Sequence, residues 1–136
     1  MTFGELKVDI VILTCAVSAG IHAALVPDHF EEGAGPGIGF VLATVLLSVL
    51  AVALTRNPSQ AVVLATIVVF AGLIVAYVVV LATGVPVLHP ERETVDGLAI
   101  FTKAVEAGGL LLAASLLRLP SPAPILRPKG TLTCGI

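Results

Sequence analysis

The chain has 136 residues, 57% of them hydrophobic and only 12% charged, with no tryptophan and a formal net charge of −2. So little charge cannot cover the surface of a soluble domain of this size, and no basic stripe is present that would serve a nucleic acid. The apolar residues fall in long blocks rather than at amphipathic spacing, so the partner they imply is the lipid bilayer.

Four blocks, at about 8–26, 37–54, 60–83 and 97–117, approach or exceed the roughly 17–25 residues needed to cross the hydrocarbon core. Inside lipid every backbone N–H and C=O must be paired within its own element, so each block is expected to be a helix despite its high valine content. The expected fold class is all-α, a four-transmembrane-helix up-down-up-down bundle. Residues 1–119 form this membrane domain. Residues 120–136 form a Pro-rich tail expected to be disordered.

Residues 1–7 lead into the first helix. As a signal peptide they would be weak, since one Lys is offset by one Glu, and Leu13-Thr14-Cys15 carries Thr where a lipoprotein site takes Gly or Ala. Ala16, Gly20 and Ala24 fall four apart, as do Ala19 and Ala23. Small residues at this spacing let helix backbones approach closely, which marks helix 1 as a central packing helix. Pro27 is expected to end it, because the residue before a proline is pushed out of the helical region. Residues 27–36 then form a first outer loop, with Gly33-Ala34-Gly35-Pro36-Gly37 making the turn.

Helix 2 carries Thr44 and Ser48, whose hydroxyls can bond back to their own helix. Thr55-Arg56-Asn57-Pro58-Ser59 reads as a tight turn, with Ser59 a candidate N-cap for helix 3. Helix 3 carries no charge and places Tyr77 towards an interface. A second outer loop spans 84–96. Helix 4 carries Lys103 and Glu106, and the prolines at 120, 122 and 124 stop the chain from continuing it.

These connections put Lys7, Arg56, Arg118, Arg127 and Lys129 on one side and only Arg92 on the other. The positive-inside rule therefore predicts both termini in the cytoplasm and a plasma-membrane protein. Asp28, Glu31, Glu32, Glu91, Glu93 and Asp96 then face outward. Cys15 lies mid-helix and Cys134 in the tail, so the two are not expected to form a disulfide.

Two groups of residues carry chemistry. An ionisable group inside a transmembrane helix costs at least a few kcal/mol, which makes Lys103 and Glu106 a functional hypothesis. Spaced three apart, they share a helix face and can pair, with Thr102 four residues before Glu106 on the same side. The competing reading is a structural ion pair that fixes helix 4 against its neighbours. On helix 1, Cys15, Ser18 and His22 line one face, with Cys15 and Lys103, Glu106 and Thr102 forming a polar cavity if helices 1 and 4 adjoin. The second group is outward: His22, His29 and His89 fall among Glu31, Glu32 and their neighbours. Imidazole mixed with carboxylate suits Zn²⁺ or Cu²⁺. The spacing matches no named metal motif, and the competing reading is solvated loop histidines.

Other classes fit less well. A transmembrane haem needs two axial histidines at matching depth, and only His22 is expected inside a helix. No CxxC is present for thiol redox work, and no Walker or dinucleotide glycine pattern for nucleotides.

The pattern His22…Pro27-Asp28-His29-Phe30-Glu31-Glu32 resembles the H-x-x-x-x-P-E-H-x-E-E signature of small four-helix membrane proteins of actinobacteria and related bacteria. Thr83-Gly84-Val85-Pro86, Val95-Asp96-Gly97 and Thr102-Lys103-Ala104-Val105-Glu106 resemble the second half of the same group. The likeness spans about residues 15–107 and departs from the pattern at Asp28 and Thr94. It implies the four-helix topology and a bacterial source, and adds weight to His22, His29, Glu31, Glu32, Lys103 and Glu106. It implies no reaction. The leading expectation is a non-enzymatic binding or accessory protein whose outer His/carboxylate cluster takes a metal ion or a partner. The alternatives are a proton- or ion-coupled transporter using Glu106, forming a homo-oligomer, and a structural subunit of a larger membrane complex.

Overall fold

The computed structural model describes residues 3–83 and 97–117. They form four helices: α1 (Phe3–Glu32), α2 (Ala34–Arg56), α3 (Gln60–Thr83) and α4 (Gly97–Ala114). No strand occurs among the described residues. Each helix is long and apolar enough to cross a membrane, the make-up of a multi-pass membrane protein. The second outer loop, with His89, Glu91, Arg92, Glu93 and Asp96, and the tail with Cys134 lie outside the described residues.

The largest departure from expectation is at Pro27. The helix does not end there: α1 continues to Glu32 with Pro27 inside it. A proline in a helix removes one N–H and crowds a carbonyl, at a cost of about 3 kcal/mol. Packing beyond it offsets that cost. The ring of His29 stacks on Phe40 of α2 with centroids 3.6 Å apart. Phe30 lies against Gly37 so closely that a side chain at 37 would collide with its ring. The expected loop of residues 27–36 is therefore reduced to Gly33, the one residue between α1 and α2. Its N–H donates to the His29 carbonyl at 3.1 Å, and its own carbonyl accepts from Gly37 at 3.3 Å. Gly33 has φ 158°, which a residue without Cβ adopts at little cost. Pro36 sits in the first turn of α2, where a missing N–H costs nothing.

The remaining boundaries follow local chemistry. The Asn57 N–H donates to Ala53 at the end of α2. The Ser59 hydroxyl accepts from the Val62 N–H at 3.4 Å, as a capping serine does. Helix α4 ends at Ala114 and tightens into a last turn, with Leu116 and Leu117 donating to Ala113 and Ala114.

The helices touch in a ring: α1 against α2, α2 against α3, α3 against α4, and α4 back against α1. At its centre Val11, Cys15 and Ala19 of α1 meet Leu47, Leu50 and Leu54 of α2, Val63 and Phe70 of α3, and Ala113 of α4. The small-residue face of α1 does not serve this ring as expected. Ala19 is buried, but Ala16, Gly20, Ala23 and Ala24 are exposed. Alanine and glycine spacing fixes which residues share a face, not which way that face turns. The close approach comes instead at Gly109 of α4, where a Cβ would lie 2.7 Å from Thr14 Oγ1 and 2.8 Å from the Phe70 ring.

Candidate functional site

Most hydroxyls in this bundle are spent locally. Thr14, Thr44, Thr55, Thr66, Thr102 and Ser115 each donate to a carbonyl three or four residues back on the same helix. Ser18 differs. Its hydroxyl crosses to α4 and donates to Glu106 Oε1 at 2.9 Å.

Glu106 is the centre of the site. It is the tenth of the eighteen residues of α4 and is fully buried. Its second oxygen, Oε2, accepts from Lys103 Nζ at 2.7 Å, the pairing that the i,i+3 spacing allows. Lys103 is 20% exposed in its side chain, so it lies on the open side of the carboxylate. Its ammonium sits 5.2 Å from the centre of the Tyr77 ring of α3, within cation–π range.

His22 completes the set from α1. Its Nδ1 is 2.8 Å from the Ser18 carbonyl oxygen and 3.4 Å from the Ser18 hydroxyl. A carbonyl only accepts, and the Ser18 hydroxyl proton already goes to Glu106, so Nδ1 must carry hydrogen. That leaves Nε2 as the nitrogen that gains or loses a proton. Nε2 lies 3.8 Å from Glu106 Oε1. In the neutral imidazole a lone pair there faces a carboxylate oxygen. In the imidazolium an N–H faces it instead, and the contact becomes attractive. Phe40 of α2 closes the site above His22, ring centroids 5.2 Å apart and tilted by 41°. All four helices thus supply one polar centre: Ser18 and His22, Phe40, Tyr77, and Lys103 with Glu106.

The residues predicted from the sequence divide as follows. Lys103, Glu106 and His22 come together. Thr102 is buried beside them but spends its hydroxyl on the Leu98 carbonyl. Cys15 is a free, buried thiol in the apolar core one turn from Ser18. His29 is not a loop residue. It is buried on α1, two turns beyond His22, with Nδ1 2.9 Å from the Leu25 carbonyl and its ring on Phe40. Among the described residues, two histidines rather than one therefore lie inside a helix, and both are on the same helix. Glu31 and Glu32 are exposed in the last turn of α1. His89 lies outside the described residues. Among the described residues no three His, Cys, Asp or Glu side chains are grouped to hold a metal ion.

Three contributors lie outside the site expected from the sequence: Ser18, Phe40 and Tyr77, the last expected only at an interface. Ser18 had been placed on the correct face of α1, but its tie to Glu106 needed knowledge that α1 and α4 adjoin. Phe40 gave no signal among the apolar residues of α2. An open cleft of about 870 Å³ lies elsewhere, between the start of α1, the α2–α3 turn and the end of α4, and none of the site residues lines it. Comparison with protein-family models, with curated proteins and with solved structures finds no match to this chain.

Proposed function

We propose that this protein is a small multi-pass membrane carrier that couples movement of its cargo to a proton held between His22 Nε2 and Glu106 Oε1. The observation that carries the reading is that contact, 3.8 Å across the α1–α4 interface. It joins a carboxylate fully buried in mid-helix to an imidazole, a side chain that can hold and release a proton. A carboxylate here that served packing alone would need only Lys103. The added imidazole gives the site a second group that, once protonated, competes for the same charge.

In this reading the bundle is up-down-up-down with both termini in the cytoplasm, in a bacterial plasma membrane. The Lys and Arg distribution and the likeness to small actinobacterial four-helix proteins support that placement. The outer metal site draws less support, because His22 and His29 turn into the bundle while Glu31 and Glu32 face out. The carrier reading takes Glu106 as the exchange carboxylate, His22 as its proton partner and Ser18 as the group that orients both.

The test uses purified protein in liposomes that hold a pH-sensitive dye and a mixture of sodium, potassium and guanidinium salts, with membrane potential clamped. After an external acid pulse, wild-type vesicles should take up protons faster than Glu106→Gln or His22→Gln vesicles. Equal rates in all three would sink the carrier reading.

A further inference from the structure

The two oxygens of Glu106 hold two different seats. Oε1 faces His22 and the proton. Oε2 holds a primary ammonium, that of Lys103, against the face of Tyr77. A carboxylate oxygen with an aromatic ring beside it is a seat for a monovalent nitrogen cation, since the oxygen accepts its N–H and the ring quadrupole attracts its charge. Here the chain's own lysine fills it. That lysine is the most exposed of the three ionisable side chains of the polar centre, 20% against 8% for His22 and none for Glu106. Its four-carbon stem is flexible, so the ammonium can leave Oε2 without moving a helix.

We propose that Lys103 is a tethered stand-in for the cargo, and that the cargo is a small monovalent cation with N–H donors, a primary ammonium or guanidinium ion, exchanged against a proton. The proposal rests on the carrier reading and names its cargo class. The exchange balances in charge. At rest, one carboxylate faces one ammonium and a neutral imidazole, for a sum of zero. A cargo cation displaces the Lys103 ammonium to the open side and leaves the carboxylate still neutralised once. When a proton then binds His22 Nε2, one buried negative charge faces two positive ones, and the cation on Oε2 is expelled. Lys103 returns as the proton leaves. No bond other than N–H forms or breaks.

The groups facing this seat come from every neighbouring element. Lys103 lies on α4, His22 and Ser18 on α1 and Tyr77 on α3, while α2 contributes only the uncharged Phe40. His29 lies two turns beyond His22, its ring stacked on Phe40.

The molecule carries its own reporter. Tyr77 is its one tyrosine, and it has no tryptophan, so tyrosine emission comes from the ring beside the seat. Guanidinium chloride is titrated at millimolar concentration and constant ionic strength into protein in detergent micelles. Wild type should show a saturable change in emission at about pH 8. The change should weaken as the pH is lowered and a proton joins His22 Nε2. In Lys103→Met the tethered competitor is gone, and half-saturation should fall at least about tenfold. Glu106→Gln should show no saturable change. Circular dichroism establishes that each variant retains its helices.

A folded Lys103→Met protein that shows no saturable binding overturns the proposal. So does binding in Lys103→Met with none in wild type up to about 100 mM, well above the millimolar effective concentration of a short tether, because Lys103 is then a fixed structural cation. Pairing with the liposome assay separates the two claims. Proton uptake without guanidinium binding sinks the cargo class alone. Guanidinium binding that weakens at low pH, without proton uptake, keeps the seat and sinks the carrier.

Discussion

The Ser18 hydroxyl donates to Glu106 Oε1 at 2.9 Å, joining residues eighty-eight positions apart in the chain. It is the shortest link between α1 and α4 in the polar centre, and it decides how the neighbouring groups behave. With the hydroxyl proton committed to Glu106, His22 must donate from Nδ1, and Nε2 is turned to the carboxylate.

Ser18→Ala should therefore separate stability from tautomer. It removes one donor from a buried carboxylate, at a cost of about 1–3 kcal/mol in stability. It keeps the backbone carbonyl at position 18, 2.8 Å from His22 Nδ1, so the Nδ1–H tautomer should persist. A lowered thermal midpoint in detergent, together with an unchanged ¹⁵N chemical-shift pattern of the His22 ring, is the expected result. A changed ring pattern would mean that the hydroxyl, and not the carbonyl, sets the tautomer.

Lys103 and Glu106 should couple strongly in a double-mutant cycle. Breaking a buried pair from one side leaves a lone charge and costs about 3–5 kcal/mol, whereas replacing both partners with apolar residues is close to neutral. Lys103→Met alone, which leaves the fully buried Glu106 carboxylate without its cation, should thus be less stable than Lys103→Met/Glu106→Leu. The double variant should fold and take up no protons. If it takes up protons at the wild-type rate, the pair is structural.

Gly109→Ala should loosen the bundle. The added methyl would lie 2.7 Å from Thr14 Oγ1 and 2.8 Å from the Phe70 ring, and overpacking of this kind costs about 1–3 kcal/mol. Gly109 is one turn beyond Glu106, so the shift should also weaken the Ser18 bond. Gly108→Ala, where a Cβ meets nothing within 4 Å, is the control and should leave the thermal midpoint within about 0.5 kcal/mol of wild type.

Gly33→Ala should destabilise the α1–α2 connection by about 1–3 kcal/mol, because φ 158° suits a residue without Cβ. Protease sensitivity between residues 32 and 34 should rise. An unchanged cleavage rate would show that the turn accepts a side chain.

Some of this was open to reading from the chain alone. Four apolar blocks of spanning length fix four helices, because lipid offers no partner for a backbone N–H, and the structure has four such helices. The Lys103–Glu106 pair followed from spacing within one helix. So did the shared face of Cys15, Ser18 and His22. Each depends only on 3.6 residues per turn.

What the tertiary structure decided depends on how helices turn against one another. Val, Leu and Ala surround these helices on nearly all sides, so no polar face marks which side meets a neighbour. The exposed face of Ala16, Gly20 and Ala24, and the link from Ser18 to Glu106, could not be read for that reason. Pro27 failed as a boundary for a related one. A local rule, that proline ends a helix, was overridden by contacts of His29 with Phe40 and Phe30 with Gly37 that exist only once α2 packs on α1. Local spacing supplied the parts of the polar centre, and packing between helices chose which of them meet.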